Sequence, residues 1–178
     1  MIKRYPIVKQ HDITDCGAAC LASIVKYHGG NISIARLREY SGTGRDGTTG
    51  YGIVKALEKL GFSAKGLKID ADELKNEEFP CIAHVIAEQA GKRLEHYVVV
   101  YNIINDIITY MDPAKGIVKD KLSLFKDIYT GRILSFKPGE NLNIKDENNK
   151  ALFELIKSIV KVLKIPLLLI VLISFFFT

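Results

Sequence analysis

Tryptophan is absent from the 178-residue chain, methionine occurs twice, proline five times and cysteine three times. Three cysteines at irregular spacing cannot build a paired disulfide framework. The C-x₃-C of Cys16 and Cys20, with Cys81 far away, lacks the paired Cys-x₂-Cys or His-x₃-His of a structural zinc site. No metal and no other cofactor is expected. The opening residues MIKRYPIVKQHDITD contain no apolar run, which excludes a signal peptide and places the thiols in a reducing cytoplasm, free for chemistry. No Lys/Arg cluster is interleaved with aromatics along one element, which argues against nucleic acid. The formal net charge of +5 reads as a solvated basic surface, compatible with an acidic peptide or an anionic lipid surface but requiring neither. No internal repeat or low-complexity tract is present. The loop GTGRDGTT, Gly42 to Thr49, nearly spells a nucleotide-binding loop, but Thr48 stands where the lysine belongs and no strand precedes it, so ATP is not expected to bind here.

What is present is unevenly distributed. Residues 1–140 have the mix of a globular domain with its own core, 141–150 are polar and read as a linker, and the apolar residues then accumulate. Over 151–164, Leu152, Leu155, Ile156, Ile159, Val160 and Leu163 recur at helical spacing, with Lys157, Lys161 and Lys164 elsewhere, the pattern of an amphipathic helix at a membrane surface. Residues 165–178, IPLLLIVLISFFFT, fall short of the ~20 apolar residues of a full span. They read as the truncated start of a first transmembrane helix, with the preceding lysines holding the domain on the cytoplasmic side.

Within the domain, Asp15 to His28 has a helical pattern ended by Gly29 and Gly30, with Thr14 or Asp15 placed to cap it. A second short helix is expected over Ile32 to Tyr40. A Gly/Thr-rich loop then leads into a third at IVKALEKLG. After it the period becomes extended, in FSAKGLKI, FPCIAHVIA, HYVVVYNII, DIITYMD and RILSFKP. Helices first and strands afterwards predict an α+β fold in which helices pack on an antiparallel sheet.

Cys16 opens the first helix, where unpaired N–H groups and the helix dipole stabilise negative charge, and Gly17 leaves room for a substrate carbonyl. Cys20 and Cys81, on apolar segments, read as buried small hydrophobes. Of the four histidines, His28 looks like a helix-end residue, His11 lies in a loop and His84 in a buried strand. His96 begins the strongest strand, where a rigid element can hold its ring as a general base. Asp112 ends the next strand and is the candidate to orient that ring. Parity sets a condition on this pair. A simple two-residue hairpin through Asn105 and Asp106 would put His96 and Asp112 on opposite faces, so a three-residue loop, Ile104 to Asp106, or a bulge is required, with Asn105 or Asp106 left-handed. Gln10 can donate its side-chain amide to an oxyanion beside the Cys16 N–H.

Taken in order, QHDITDCGAACLASIVKYHG, GTTGYGIVKALEKLGFSAKGLK, FPCIAHVI, HYVVVY and MDPAKGIV resemble the peptidase domain of bacterial peptidase-containing ABC transporters, over about residues 5 to 138. The resemblance implies a papain-like cysteine endopeptidase that removes leader peptides of bacteriocin-type or signalling precursors after a Gly-Gly pair. In that scheme Cys16 is the nucleophile, His96 the base, Asp112 its partner and Gln10 the oxyanion donor. A narrow channel beside the nucleophile would exclude side chains before the cut, with Tyr97 and Tyr51 expected to help line it. The implied partners are the precursor peptide, the membrane, and transporter membrane and ATPase domains that these 178 residues do not include. One rival is a non-catalytic binding module of an exporter, which the presence of Cys16, His96 and Asp112 disfavours. Another is an amidase or acyltransferase sharing the acyl-thioester chemistry, which product mass would distinguish.

Overall fold

A computed structural model describes residues 5–89, 91–145 and 153–161. The chain divides into two units, Met1–Ile144 and Lys145–Thr178. The first has three helices, α1 (Cys16–Tyr27), α2 (Ile34–Ser41) and α3 (Gly50–Lys59). There follow strands β1 (Phe62–Lys68), β2 (Cys81–Gln89), β3 (Lys92–Ile104), β4 (Ile107–Asp112) and β5 (Gly116–Lys121), a short helix α4 (Leu122–Ile128), and β6 (Tyr129–Pro138). The expected α+β segregation is what the chain adopts. The six strands form one sheet in the order β1-β6-β2-β3-β4-β5, every neighbouring pair antiparallel.

α1 is buried from Cys16 to Val25, apolar on every side. Its small residues Ala18, Ala19 and Ala22 let the helix lie close to its neighbours, as a fully enclosed helix requires. Leu21, Ile24, Leu37, Ile53 and Leu57 from α1–α3 share one core with Ile82, Val99, Met111 and Leu134 of the sheet. A second core joins Val98, Val100, Ile108 and Ile133 to Phe125 of α4 and to Leu74, which lies in the 3-10 turn Glu73–Asn76. The alternation of Val98, Val99 and Val100 between the two clusters is the period-2 side-chain pattern of a strand buried on both faces.

Local corrections bear on the site. Asp15 holds the N-cap position of the first helix but makes no side-chain cap bond to it: a 3-10 turn, Ile13–Asp15, precedes Cys16 and is capped by Asp12, whose side chain and that of Asp15 form a reciprocal capping box. α3 starts inside the Gly/Thr-rich loop, because the Thr49 hydroxyl accepts from the Gly52 amide at 3.0 Å. Gly52 fits there because a Cβ would lie 2.1 Å from the Ser41 carbonyl oxygen. β5 and α4 replace what the strand pattern left as a connection.

The β3–β4 hairpin closes with two residues, not three. Asn105 and Asp106 both take positive φ, 48° and 62°, the left-handed pair of a tight hairpin turn. The parity problem is solved by a bulge at Tyr101: Val100 pairs with Tyr110, but Asn102 pairs with Thr109. Tyr101 is buried, stacks on Tyr5 with ring centroids 4.6 Å apart, and donates to the Pro6 carbonyl at 2.6 Å.

In the second unit, residues 153–161 are helical, and Phe153, Leu155, Ile156, Ile159 and Val160 are exposed. Among the described residues no helix is long and apolar enough to cross a membrane. The expected transmembrane start at 165–178 lies outside the described residues, as do the outer parts of the expected surface helix and residues 146–150 of the expected linker.

Candidate active site

The register set by the bulge, continued by one residue from the Val99–Met111 pair, sets Asp112 opposite Val98 and so diagonally from His96 on the same side of the ribbon. The pair is closed by a hydrogen bond between His96 Nε2 and Asp112 Oδ1 of 2.9 Å, both side chains buried. Asp112 Oδ1 also accepts from the Ala114 amide at 2.9 Å, and Lys115 Nζ lies 3.7 Å from Oδ2. With Nε2 engaged, Nδ1 is the ring nitrogen left to face Cys16, whose proximity bears on the titration of the ring. Burial works against a charged imidazole, but hydrogen bonds and charge from Asp112 and Cys16 outweigh it, and the His96 pKa is pushed up to about 9. Burial likewise opposes the Asp112 charge, yet His96, the Ala114 amide and Lys115 hold its carboxyl below its ordinary value.

Cys16 is the first residue of α1. Four contacts fix the helix start against its surroundings. Arg38 of α2 hydrogen-bonds the buried Asp15 carboxyl, which also accepts from the Asp12 amide at 3.2 Å. One turn on, the Cys20 thiol donates to the Tyr97 carbonyl at 3.3 Å, tying α1 to the residue beside His96. The space next to Gly17 is occupied: a Cβ there would fall 2.7 Å from Thr48 Cβ. Gly17 therefore admits the Thr48 side chain rather than the substrate carbonyl expected from sequence. Thr48 is itself held through Thr43 Oγ1 at 2.6 Å, which meets Ser41 Oγ at 2.8 Å.

Gln10 is brought to the same end of the sheet, its backbone N–H donating to the Pro113 carbonyl at 3.1 Å. Its side chain turns inward, with Oε1 buried and without a partner among the described residues. Since the two ends of an amide exchange by a flip, this position can present a donor as well as an acceptor. Tyr97 lines a cleft of about 360 Å³ together with Cys16, Thr48, Arg45 and Arg93, and an adjoining space of about 480 Å³ with Gly50, His84 and Arg132. Tyr51 is not among the residues lining either. It is 72% exposed, because Gly50 is the α3 residue that approaches the Tyr97 hydroxyl and the next residue points about 100° away round the helix.

The other thiols and histidines are accounted for by packing. Cys20 and Cys81 are fully buried, and burial raises both pKa values, with the charges of Cys16 and Asp112 adding to the effect at Cys20. His84 Nδ1 meets Thr130 Oγ1 at 2.8 Å, and burial lowers its pKa, as it does for His28 at the α1 C-terminus. His11 is exposed in the loop before the 3-10 turn. Asp15, Arg38 and Thr48 are the contributors that sequence reasoning missed. Only the position of Asp15 beside Cys16 signalled any of them.

A thiol beside an imidazole that a carboxylate orients suits acyl transfer. Residues 4–141 match the Peptidase C39 family. The chain is 46% identical over 134 residues to the lactococcin-G-processing and transport ATP-binding protein LagD of Lactococcus lactis subsp. lactis, covering 74% of this chain and 19% of that protein. It is 37% identical over 156 residues to the transport/processing ATP-binding protein ComA of Streptococcus pneumoniae, covering 85% of this chain and 21% of that protein. It thus spans about a fifth of the length of these curated relatives. Among solved structures, the peptidase domain of Streptococcus ComA, a bi-functional ABC transporter involved in a quorum sensing pathway, superposes with a TM-score of 0.70 at 40% identity, covering 76% of this chain and 99% of that one. A double glycine motif protease from an AMS/PCAT transporter, solved in complex with the leader peptide, gives 0.69 at 32% identity, covering 76% and 93%.

Proposed function

The chain belongs to the Peptidase C39 family, and from that premise we propose that it is a cysteine endopeptidase cutting precursor peptides after a Gly-Gly pair, as the N-terminal part of a peptide exporter. The observation that carries the reading is the 2.9 Å His96–Asp112 bond, with Cys16 near the same ring. The thiol proton passes to His96 as Cys16 Sγ bonds the carbonyl carbon of the second glycine. The C–N bond then breaks, and His96 gives that proton to the departing amine, leaving a thioester. Water gives a proton to His96 while its oxygen bonds the same carbon. The C–S bond breaks, and Cys16 recovers its proton from His96. Gln10 and the Cys16 amide donate to the oxygen that carries charge in both steps. Asp112 keeps the ring in the tautomer and orientation that serve both transfers.

The Gly-Gly requirement is supported by the crowding beside Cys16, where Thr48 fills the space at Gly17 and Tyr97 forms another part of the wall. The double glycine motif protease, 32% identical, was solved with its leader peptide. The exposed apolar residues of the helix at 153–161 fit a membrane-surface helix, with 165–178 beginning a transmembrane segment and the peptidase on the cytoplasmic face. Incubation with synthetic leader peptides, native and with Gly-Gly replaced by Ala-Ala, tests the assignment by product mass. Cleavage after Gly-Gly is expected in the native peptide alone and is lost, by about 10⁴-fold or more, in Cys16→Ala. A cut elsewhere, or binding without a cut, would sink it.

A further inference from the structure

Two cavities meet at the reacting pair. The cleft of about 360 Å³ is lined by Cys16 and not by His96. A second, of about 220 Å³, is lined by His96 and Asp112 and not by Cys16. Ile13, Leu94 and Glu95 line both, so the two are halves of one trough running between the 3-10 turn before α1 and the β2–β3 arm. The second half is smaller than the roughly 300–1,000 Å³ of sites that enclose a drug-sized ligand. It has room for a side chain or two.

Chemistry gives the trough a direction. On the peptidase reading, on which this inference rests, the acyl half of the substrate remains bonded to Cys16 while the amine half departs with a proton from His96. The departing half therefore lies on the imidazole side. We infer that the His96–Asp112 cavity is the subsite for the residue immediately after the scissile bond, and that it takes a small to medium apolar side chain and disfavours an acidic one. Ile13, 49% exposed, offers apolar surface there with Ala87 and Leu94. The carboxylates of Glu88 and Glu95 stand at the rim and oppose an acidic residue, while the cation on that side, Lys115, is drawn toward Asp112 at 3.7 Å. A substrate side chain seated there covers Ile13 and Leu94 from water, which favours binding in proportion to the apolar area removed.

The test uses the purified chain and synthetic precursors that share one leader and Gly-Gly but carry Ala, Ile, Lys or Asp next. The Ala and Ile peptides should be cut with the highest kcat/KM, and the Asp peptide about tenfold more slowly, since like-charge juxtaposition is unfavourable. Glu88→Lys should raise the ratio of Asp-peptide to Lys-peptide rates by about tenfold. Leu94→Asp, should the first variant fold poorly, should lower the Ile-peptide rate relative to the Lys-peptide rate. Equal kcat/KM across the four peptides in the unaltered chain, or ratios that do not move in folded variants, would overturn the assignment. If a folded chain cuts none of the peptides at Gly-Gly, the peptidase reading itself fails and the subsite falls with it.

Discussion

The two walls of the cleft are built by different means. The strand-side wall, carrying His96 and Asp112, owes its geometry to backbone pairing: one bulge sets the register, and a single 2.9 Å bond then completes the pair. The helix-side wall, carrying Cys16, owes its geometry to side chains from elsewhere in the chain, with Arg38 on Asp15 and Thr48 against Gly17. A point substitution on the strand side should therefore act mainly on catalysis. One on the helix side should act mainly on stability, with activity following.

Asp112→Asn is the largest expected break of this contrast. It leaves the pairing intact but removes the charge that fixes the ring, and kcat/KM should fall about 10²–10⁴-fold. The same variant has a pH signature. His96 holds its proton more tightly folded, at about 9 against an ordinary 6.5, so this contribution to stability is complete below pH 6.5 and is lost as pH rises through 9. Asp112, held below its ordinary value of 3.8, contributes stability above that pH and loses it as pH falls through the lowered value. Thermal melts from pH 6 to 10 should show a declining Tm in the unaltered protein and a flatter profile in Asp112→Asn. An equally steep decline in the variant would assign the effect to other groups.

On the helix side, Arg38→Gln leaves the buried Asp15 carboxyl without its guanidinium and should cost about 1–3 kcal/mol in urea unfolding. Gly17→Ala drives a methyl into Thr48 and should cost a similar 1–3 kcal/mol, largely recovered in the double variant with Thr48→Ala. Simple addition of the two single effects would show that the contact is not the cause. The smallest effect sharpens the other side. Asn105→Gly eases a positive φ at the turn, should change stability by less than about 1 kcal/mol, and should leave kcat/KM unchanged, because the bulge rather than the turn sets the register.

The residues whose chemistry depends on type and local pattern were legible from sequence: a thiol at a helix start, a histidine on a strongly β-branched strand, an aspartate before a proline; the strand itself starts four residues before His96, at Lys92. Parity alone required a departure from simple pairing between His96 and Asp112, but could not choose between a longer loop and a bulge. That choice was decided by Tyr101, whose ring and hydroxyl bind the N-terminal segment at Tyr5 and Pro6. β5 escaped notice because GIVKDK is short and half charged, and α4 because seven residues span barely two turns without a side-chain cap. The Asp15–Arg38 and Gly17–Thr48 contacts join residues 23 and 31 positions apart, beyond any local pattern. Tyr51 was misplaced for a related reason, since its aromatic character says nothing about which side of α3 meets the cleft.

The bulge has a consequence for how this sequence can drift. Tyr101 is at once the supernumerary residue that aligns His96 with Asp112 and the anchor for the segment that leads to Gln10. Deleting it would unmake a buried stack as well as a register, so the lesion would be purged as a folding defect before it could persist as a catalytic one. Descendants of this chain that give up catalysis while keeping the fold are expected to do so by exchanging Cys16, His96 or Asp112, not by slippage of the ribbon that carries two of them.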